Sequence, residues 1–172
     1  ANGLYAGTWL STIKWTRDAG GSGDLEWDLY AGKRGRIGAA RYDAGVLAYA
    51  YPGNGLKALP GFVDANTAEV YGQLGYGPAY AKYSHALTNL FGIPGSRHSG
   101  YVDLGANVGL GGKLTLNLHA GRQEVRHNAA ASYTDYKLGL TRDVGMATLA
   151  LAWIGTNAGV AAYASPANGR FL

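Results

Sequence analysis

The chain contains no cysteine, which excludes disulfides, thiolate metal sites and cysteine nucleophiles together. Charged residues make up only 15% of it, against roughly a quarter in a typical soluble domain, so much of the surface is expected not to face water. No run of about 18 apolar residues occurs, which excludes a transmembrane helix. No segment sustains a helical period. If a membrane is involved, strands must cross it, and in lipid they have to close into a barrel to satisfy their backbone groups. The net charge of +4 is dispersed except for Lys33-Arg34-Gly35-Arg36, so a nucleic-acid partner is not expected. An N-terminal apolar leader is absent too: the chain opens ANGLYAG, as a processed or truncated product would.

What the chain has in quantity is glycine, 28 residues, and tyrosine, 13. Tyr101 to Gln123 shows how they are used. Val102, Leu104, Ala106, Val108 and Leu110 alternate with Asp103, Gly105, Asn107 and Gly109; after Gly111-Gly112, Leu114, Leu116, Leu118 and Ala120 alternate with Thr115, Asn117, His119 and Gly121. Period two on both sides of a Gly-Gly step predicts a hairpin with one apolar and one polar face.

The same period predicts nine strands, near 3–15, 24–34, 40–51, 67–77, 79–87, 100–110, 113–124, 133–143 and 146–155. Each approaches the nine to eleven residues that a tilted strand needs to cross a bilayer. Their connections alternate long and short: 16–23, 35–39, 52–66, Pro78, 88–99, 111–112, 125–132 and 143–145, then everything after Thr156. A soluble sandwich shows the same facial alternation, but it has no reason to sort its loops. An outer-membrane barrel puts tight turns on the periplasmic side and long loops outside. The expected fold is therefore all-β, an antiparallel up-and-down transmembrane β-barrel forming one domain over residues 1–172.

With the polar set inward, Tyr5, Trp9, Trp15, Trp27, Tyr42, Tyr76, Tyr136 and Trp153 are expected on the lipid face as aromatic girdles. Glu26, Asp28, Glu69, Asp103 and Asp135 fall near the starts of strands descending from outside loops, as an acidic collar favouring cations. Asp43, Gln73, Lys82, Asn107, Asn117, His119 and Lys137 line the same interior. Lys14, Arg17, Arg122 and Arg126 could instead pair with the acids and fill the barrel, and Tyr30, Tyr49, Tyr51 and Tyr71 assign inward, which narrows it. The 52–66 loop reads as exposed, with an inward constriction through Leu56, Leu59 and Phe62 as the alternative. Nine strands would leave two open edges and an odd count, so a closing strand is expected beyond this chain.

GLYAGTW (3–9), DLYAG (28–32), YDAGVLAYAYPG (42–53), AEVYGQLGYG (68–77), NLFGIPGS (89–96), GYVDLGA (100–106) and YTDYKLGLTRDVG (133–145) resemble the TorF-type porin family of proteobacterial outer membranes. The resemblance implies porin-like location and fold more firmly than substrate. It also implies two further strands before Ala1 and one after Leu172, about twelve in all, because a YRFRG-like segment and a terminal aromatic strand are not matched here.

The function expected is passive diffusion of ions or small hydrophilic solutes through a narrow lumen, in contact with outer-membrane lipid. The alternative is a filled structural barrel that binds a partner protein or joins a larger assembly. Enzyme chemistry is not expected: Ser11 and His85, both assigned outward, lie four strands apart without an acid, and His98 and His127 lack ligand spacing. Gly72 to Gly77 lacks the GK[ST] or strand–helix context of a phosphate loop, and no cofactor or metal is implied.

Overall fold

A computed structural model describes residues 2–159 and the backbone of 170–171. Its strands are β1 (Leu4–Thr12), β2 (Leu25–Ile37), β3 (Ala40–Ala50), β4 (Thr67–Tyr76), β5 (Ala79–Ala86), β6 (Gly100–Gly111), β7 (Leu114–Glu124), β8 (Tyr133–Asp143), β9 (Thr148–Thr156) and β10 (Arg170–Phe171). They form one antiparallel sheet in sequence order. Among the described residues, no ladder joins β1 to β10.

The period-two segments became strands because every neighbour presents the same alternation, so one register satisfies all faces together. Three segments differ from expectation, the first being β2, which runs on to Ile37 so that 35–37 of the expected connection are strand. The first strand, expected to reach residue 15, stops at Thr12: Trp15–Asp18 forms a single helical turn, α1, whose buried Thr16 donates from Oγ1 to the Gly23 carbonyl at 2.8 Å. The tail after Thr156, expected as a loop, contributes β10 through pairing of Arg170 and Phe171 with Ile154 and Trp153. The rest of that expected loop, Val160–Gly169 and Leu172, lies outside the described residues.

Connections sort by length to opposite ends. Gly38-Ala39, Gly77-Pro78 and Gly112-Lys113 are two-residue turns between paired strand ends. Gly38 and Gly77 have φ of +59° and +54°, left-handed values that glycine adopts without a Cβ penalty. The long connections 13–24, 51–66, 87–99 and 125–132 all lie at the other end.

Directly opposed residues share a face of the sheet. One row therefore runs Tyr5, Gly32, Gly45, Tyr71, Ser84, Tyr101, Gln123 and Tyr133 from β1 to β8. The loop-side edge slides along such rows. Thr12 ends β1 seven positions beyond Tyr5 (12 − 5), Thr67 begins β4 four before Tyr71 (71 − 67), and Tyr133 itself begins β8. This progressive stagger is that of strands tilted in a curled sheet. The polar face is the concave one. Tyr133 of β8 interacts electrostatically with Tyr49 of β3 and Glu69 of β4, whereas five flat strand steps of about 4.8 Å would separate β3 and β8 by about 24 Å.

Glycine and tyrosine interlock across the strands. Tyr5 lies over Gly32 and Tyr71 over Gly45 until their hydroxyls meet, and Tyr30 covers Gly7, Tyr80 covers Gly105 and Tyr101 covers Gly121. On the convex face Tyr42 lies over Gly35, Tyr83 over Gly100 and Tyr136 over Gly155. In each case a Cβ on the glycine would collide with the ring. The two abundant residue types are thus halves of one packing device.

The fully buried apolar core lies among the long loops. Tyr51, Leu56 and Ala65 pack with Ile13, Trp15, Leu59, Phe62 and Phe91; Ala86, Leu90, Val125 and Ala131 pack with Phe91 and Ile93. The reading of 52–66 as an exposed loop is corrected here: Leu56 is 0% exposed. Its cluster includes Tyr49 and Tyr51 at the end of β3, so the loop folds over the loop-side end of the polar face.

Candidate functional site

The concave face gathers most of the charge carried by β1 to β9. Glu26 and Asp28 are the second and fourth residues of β2, Glu69 the third of β4, Asp103 the fourth of β6 and Asp135 the third of β8. All five face the same side near the loop end of their strands, as the alternating pattern requires. Their surroundings differ. Glu26 accepts a hydrogen bond at 2.8 Å from the Tyr51 hydroxyl, and Asp28 Oδ1 is buried with no hydrogen-bond partner. Burial first, then the Glu26 carboxylate, push the Tyr51 hydroxyl well above its ordinary range, so it stays a neutral donor under the loops. Lys82 approaches Glu69 electrostatically while its Nζ sits 4.5 Å from the Tyr71 ring centre.

Asp103 and Asp135 close around one histidine. His119 places Nδ1 2.8 Å from Asp103 Oδ1 and Nε2 2.5 Å from Asp135 Oδ1, and Tyr101 donates to both Asp135 oxygens at 2.9 and 3.1 Å. A carboxylate at each ring nitrogen suits an imidazole that donates from both. The side chains of all three are under one-fifth exposed. The group ties β6, β7 and β8 together and engages two of the five carboxylates in hydrogen bonds. Asn117 donates to Asn107 at 2.7 Å and accepts from Thr141 at 2.5 Å nearer the turns. Lys137 stands opposite His119, and Asp43 opposite Gln73. Asp43 also accepts from the Tyr5 hydroxyl.

Several expected positions are corrected. Tyr5 and Trp9 belong to the polar face: Tyr5 reaches Asp43 and Tyr71, and Trp9 opposes Asp28. Trp15 is on α1, packed edge-on against Tyr51 at 5.0 Å. Trp27, Tyr42, Tyr76, Tyr136 and Trp153 share the apolar face; Tyr42 and Tyr76 sit beside the short turns, while Trp27 and Tyr136 sit nearer the loops. Ser11 opposes Glu26 on the polar face, whereas His85 opposes Val70 on the apolar one, so those two side chains point to opposite sides of the sheet. Arg17 pairs with Asp24 at 3.1 Å rather than with the strand carboxylates, and Arg122, on the apolar face, bonds Thr134. His85 Nε2 and His98 Nδ1 meet at 3.0 Å, but among the described residues no group of three or more His, Asp or Glu side chains is arranged to hold a metal ion.

Fold and site together define an all-β antiparallel sheet protein with a polar, charge-bearing concave face and an exposed apolar convex one. The sequence model of the family described as "Bacterial protein of unknown function (Gcw_chp)" matches residues 1–172, and the chain belongs to that family. No curated protein matches it, and no solved structure does.

Proposed function

We propose that this chain forms the wall of a bacterial outer-membrane β-barrel whose concave face is a narrow path for small ions or hydrophilic solutes. One observation carries the reading. Leu4, Leu10, Leu74, Leu138, Leu149 and Leu151 stand 52–66% exposed on one side of a sheet whose other side holds the carboxylates, His119 and Lys82. Burying each such side chain is worth about 1.5–3 kcal/mol, a gain that lipid contact supplies and water does not. The lengths of β1 to β9, 8 to 13 residues, suit a tilted crossing. Of the charged residues on the apolar face, Arg122, Glu124 and Arg142 lie towards strand ends, and Lys33, opposite Ala44, is the one nearer a strand middle. Likeness to TorF-type porins points the same way, with short turns periplasmic and long loops outside. Cation preference then rests mainly on Glu26, Asp28 and Glu69, since Asp103 and Asp135 are both engaged by His119.

The loop cap favours a second reading, a filled barrel that presents its loops to a partner protein. Leu56, Leu90 and their neighbours cover the loop-side end, and tyrosines occupy the concave face. Planar-bilayer recording separates the two. Stepwise conductance with a cation-over-anion ratio above one, lowered in Glu69→Gln, supports the path; silence from folded, inserted protein favours the filled barrel.

A further inference from the structure

The turn-side end of the concave face carries the opposite charge. Arg36 of β2 stands directly across from Arg41 of β3, one pair before the Gly38-Ala39 turn, and the next pair on the same face is Arg34 with Asp43. Between them, Tyr42 lies over Gly35 on the convex side and leaves no room for a Cβ. That contact pins the register, so the two arginines cannot slide apart. Arg41 donates from Nη2 to the Gly77 carbonyl at 2.9 Å, and the Arg34 guanidinium lies 5.4 Å over the Tyr5 ring. Among the described residues Arg36 has no ion-pair partner, and Asp43, the one carboxylate of the group, already accepts from Tyr5. These residues of β2 and β3, with Gln73 from β4, bound an open hollow of about 280 Å³.

Like charges directly opposed in a ladder repel, and here three arginines share one carboxylate. A bound anion removes the conflict: guanidinium forks donate paired hydrogen bonds to carboxylate or phosphate oxygens. We propose that this hollow binds a small soluble oxyanion, a phosphate or carboxylate group, between Arg36 and Arg41, with Arg34 and Gln73 as flanking contacts. The Lys33-Arg34-Gly35-Arg36 run thereby acquires a role: its alternate arginines line the concave face while Lys33 points to the convex side. The site does not depend on whether the concave face conducts.

Inorganic phosphate titrated calorimetrically into the refolded full chain in zwitterionic detergent, at fixed ionic strength, tests it without any transport readout. Saturable binding is expected at one site, weakened at least tenfold in Arg36→Gln, weakened less in Arg41→Lys, which keeps the charge but loses the fork, and unchanged in Glu69→Gln. Acetate distinguishes a general oxyanion site, where it competes with phosphate, from a phosphate-selective one, where it leaves phosphate binding unchanged. Phosphate should also protect Arg36 and Arg41 of the unaltered chain from an arginine-specific dicarbonyl reagent, read by peptide mass spectrometry, which requires no variant to fold. Absence of saturable phosphate binding, binding untouched by Arg36→Gln, or equal modification with and without phosphate would overturn the proposal.

Discussion

Leu90 and Leu138 are the same residue type on the same chain, yet Leu90 is 2% exposed within the loop cap and Leu138 is 52% exposed on the convex face. The cap is built like the interior of a soluble protein. Leu56, Leu90, Ala65 and Val125 are shielded by aromatic neighbours, and the loop backbone is held by side chains such as Ser96, which donates to the Ile93 carbonyl at 2.6 Å and accepts from the Leu90 amide at 2.7 Å. The wall inverts that arrangement, with polar side chains gathered on the concave side, where His119, Asp103 and Asp135 bond one another, and aliphatic ones facing out. A single rule explains both: apolar surface leaves water by whatever neighbour is available, protein in the cap and, on the proposed reading, lipid at the wall.

The largest expected effect lies in the cap. Leu56→Ala should cost about 2–5 kcal/mol of local stability, seen as faster hydrogen exchange of the 51–66 and 13–24 amides while the wall strands stay protected; uniform loss of protection would mean that cap and wall are one cooperative unit. Next comes the wall: Leu138→Arg should cost about 2–4 kcal/mol for insertion into bilayers, measured by folding equilibrium in vesicles. A cost below about 0.5 kcal/mol would remove lipid from that face. The glycine–tyrosine packing sharpens the contrast within a single sheet. Gly45→Ala should cost about 1–3 kcal/mol by displacing Tyr71, whereas Gly72, where an added methyl would meet nothing within 4 Å, should tolerate alanine within about 0.5 kcal/mol. Equal effects in thermal melts would deny the interlock. The smallest change is expected at the Arg17–Asp24 pair, 56% and 64% exposed: Arg17→Ala should alter stability by about 0–1 kcal/mol, and a larger loss by the same melts would make the cap surface electrostatically dependent.

The period-two pattern carried the strands, the antiparallel order and the sorting of loops, because facial alternation and turn length are local properties. It also put the five carboxylates near the loop ends of β2, β4, β6 and β8. Facing failed in β1, where Leu4, Ala6, Thr8 and Leu10 alternate with Tyr5, Gly7, Trp9 and Ser11. Both sets are mixed, and a tyrosine is sided by what its hydroxyl can reach, here Asp43 and Tyr71 on other strands. The cap escaped for a similar reason: Trp15, Leu56 and Phe91 come from three separate loops, and no periodicity within one loop reports that they meet. The abundance of glycine and tyrosine was visible, but their pairing emerges only once the register sets Gly32 opposite Tyr5 and Gly45 opposite Tyr71. Arg41 opposite Arg36 is likewise a product of register.

The central claim is that the convex face meets lipid. Because the chain has no cysteine, single cysteines at Leu104, Leu138 and Leu151 on that face, and at Asn117 and Thr141 on the other, can each carry an environment-sensitive fluorophore in protein refolded into vesicles with bromine-bearing lipid chains. Strong quenching is expected at the three leucine positions and little at Asn117 and Thr141; equal quenching on both faces, or none at the leucine positions of folded protein, would contradict the claim.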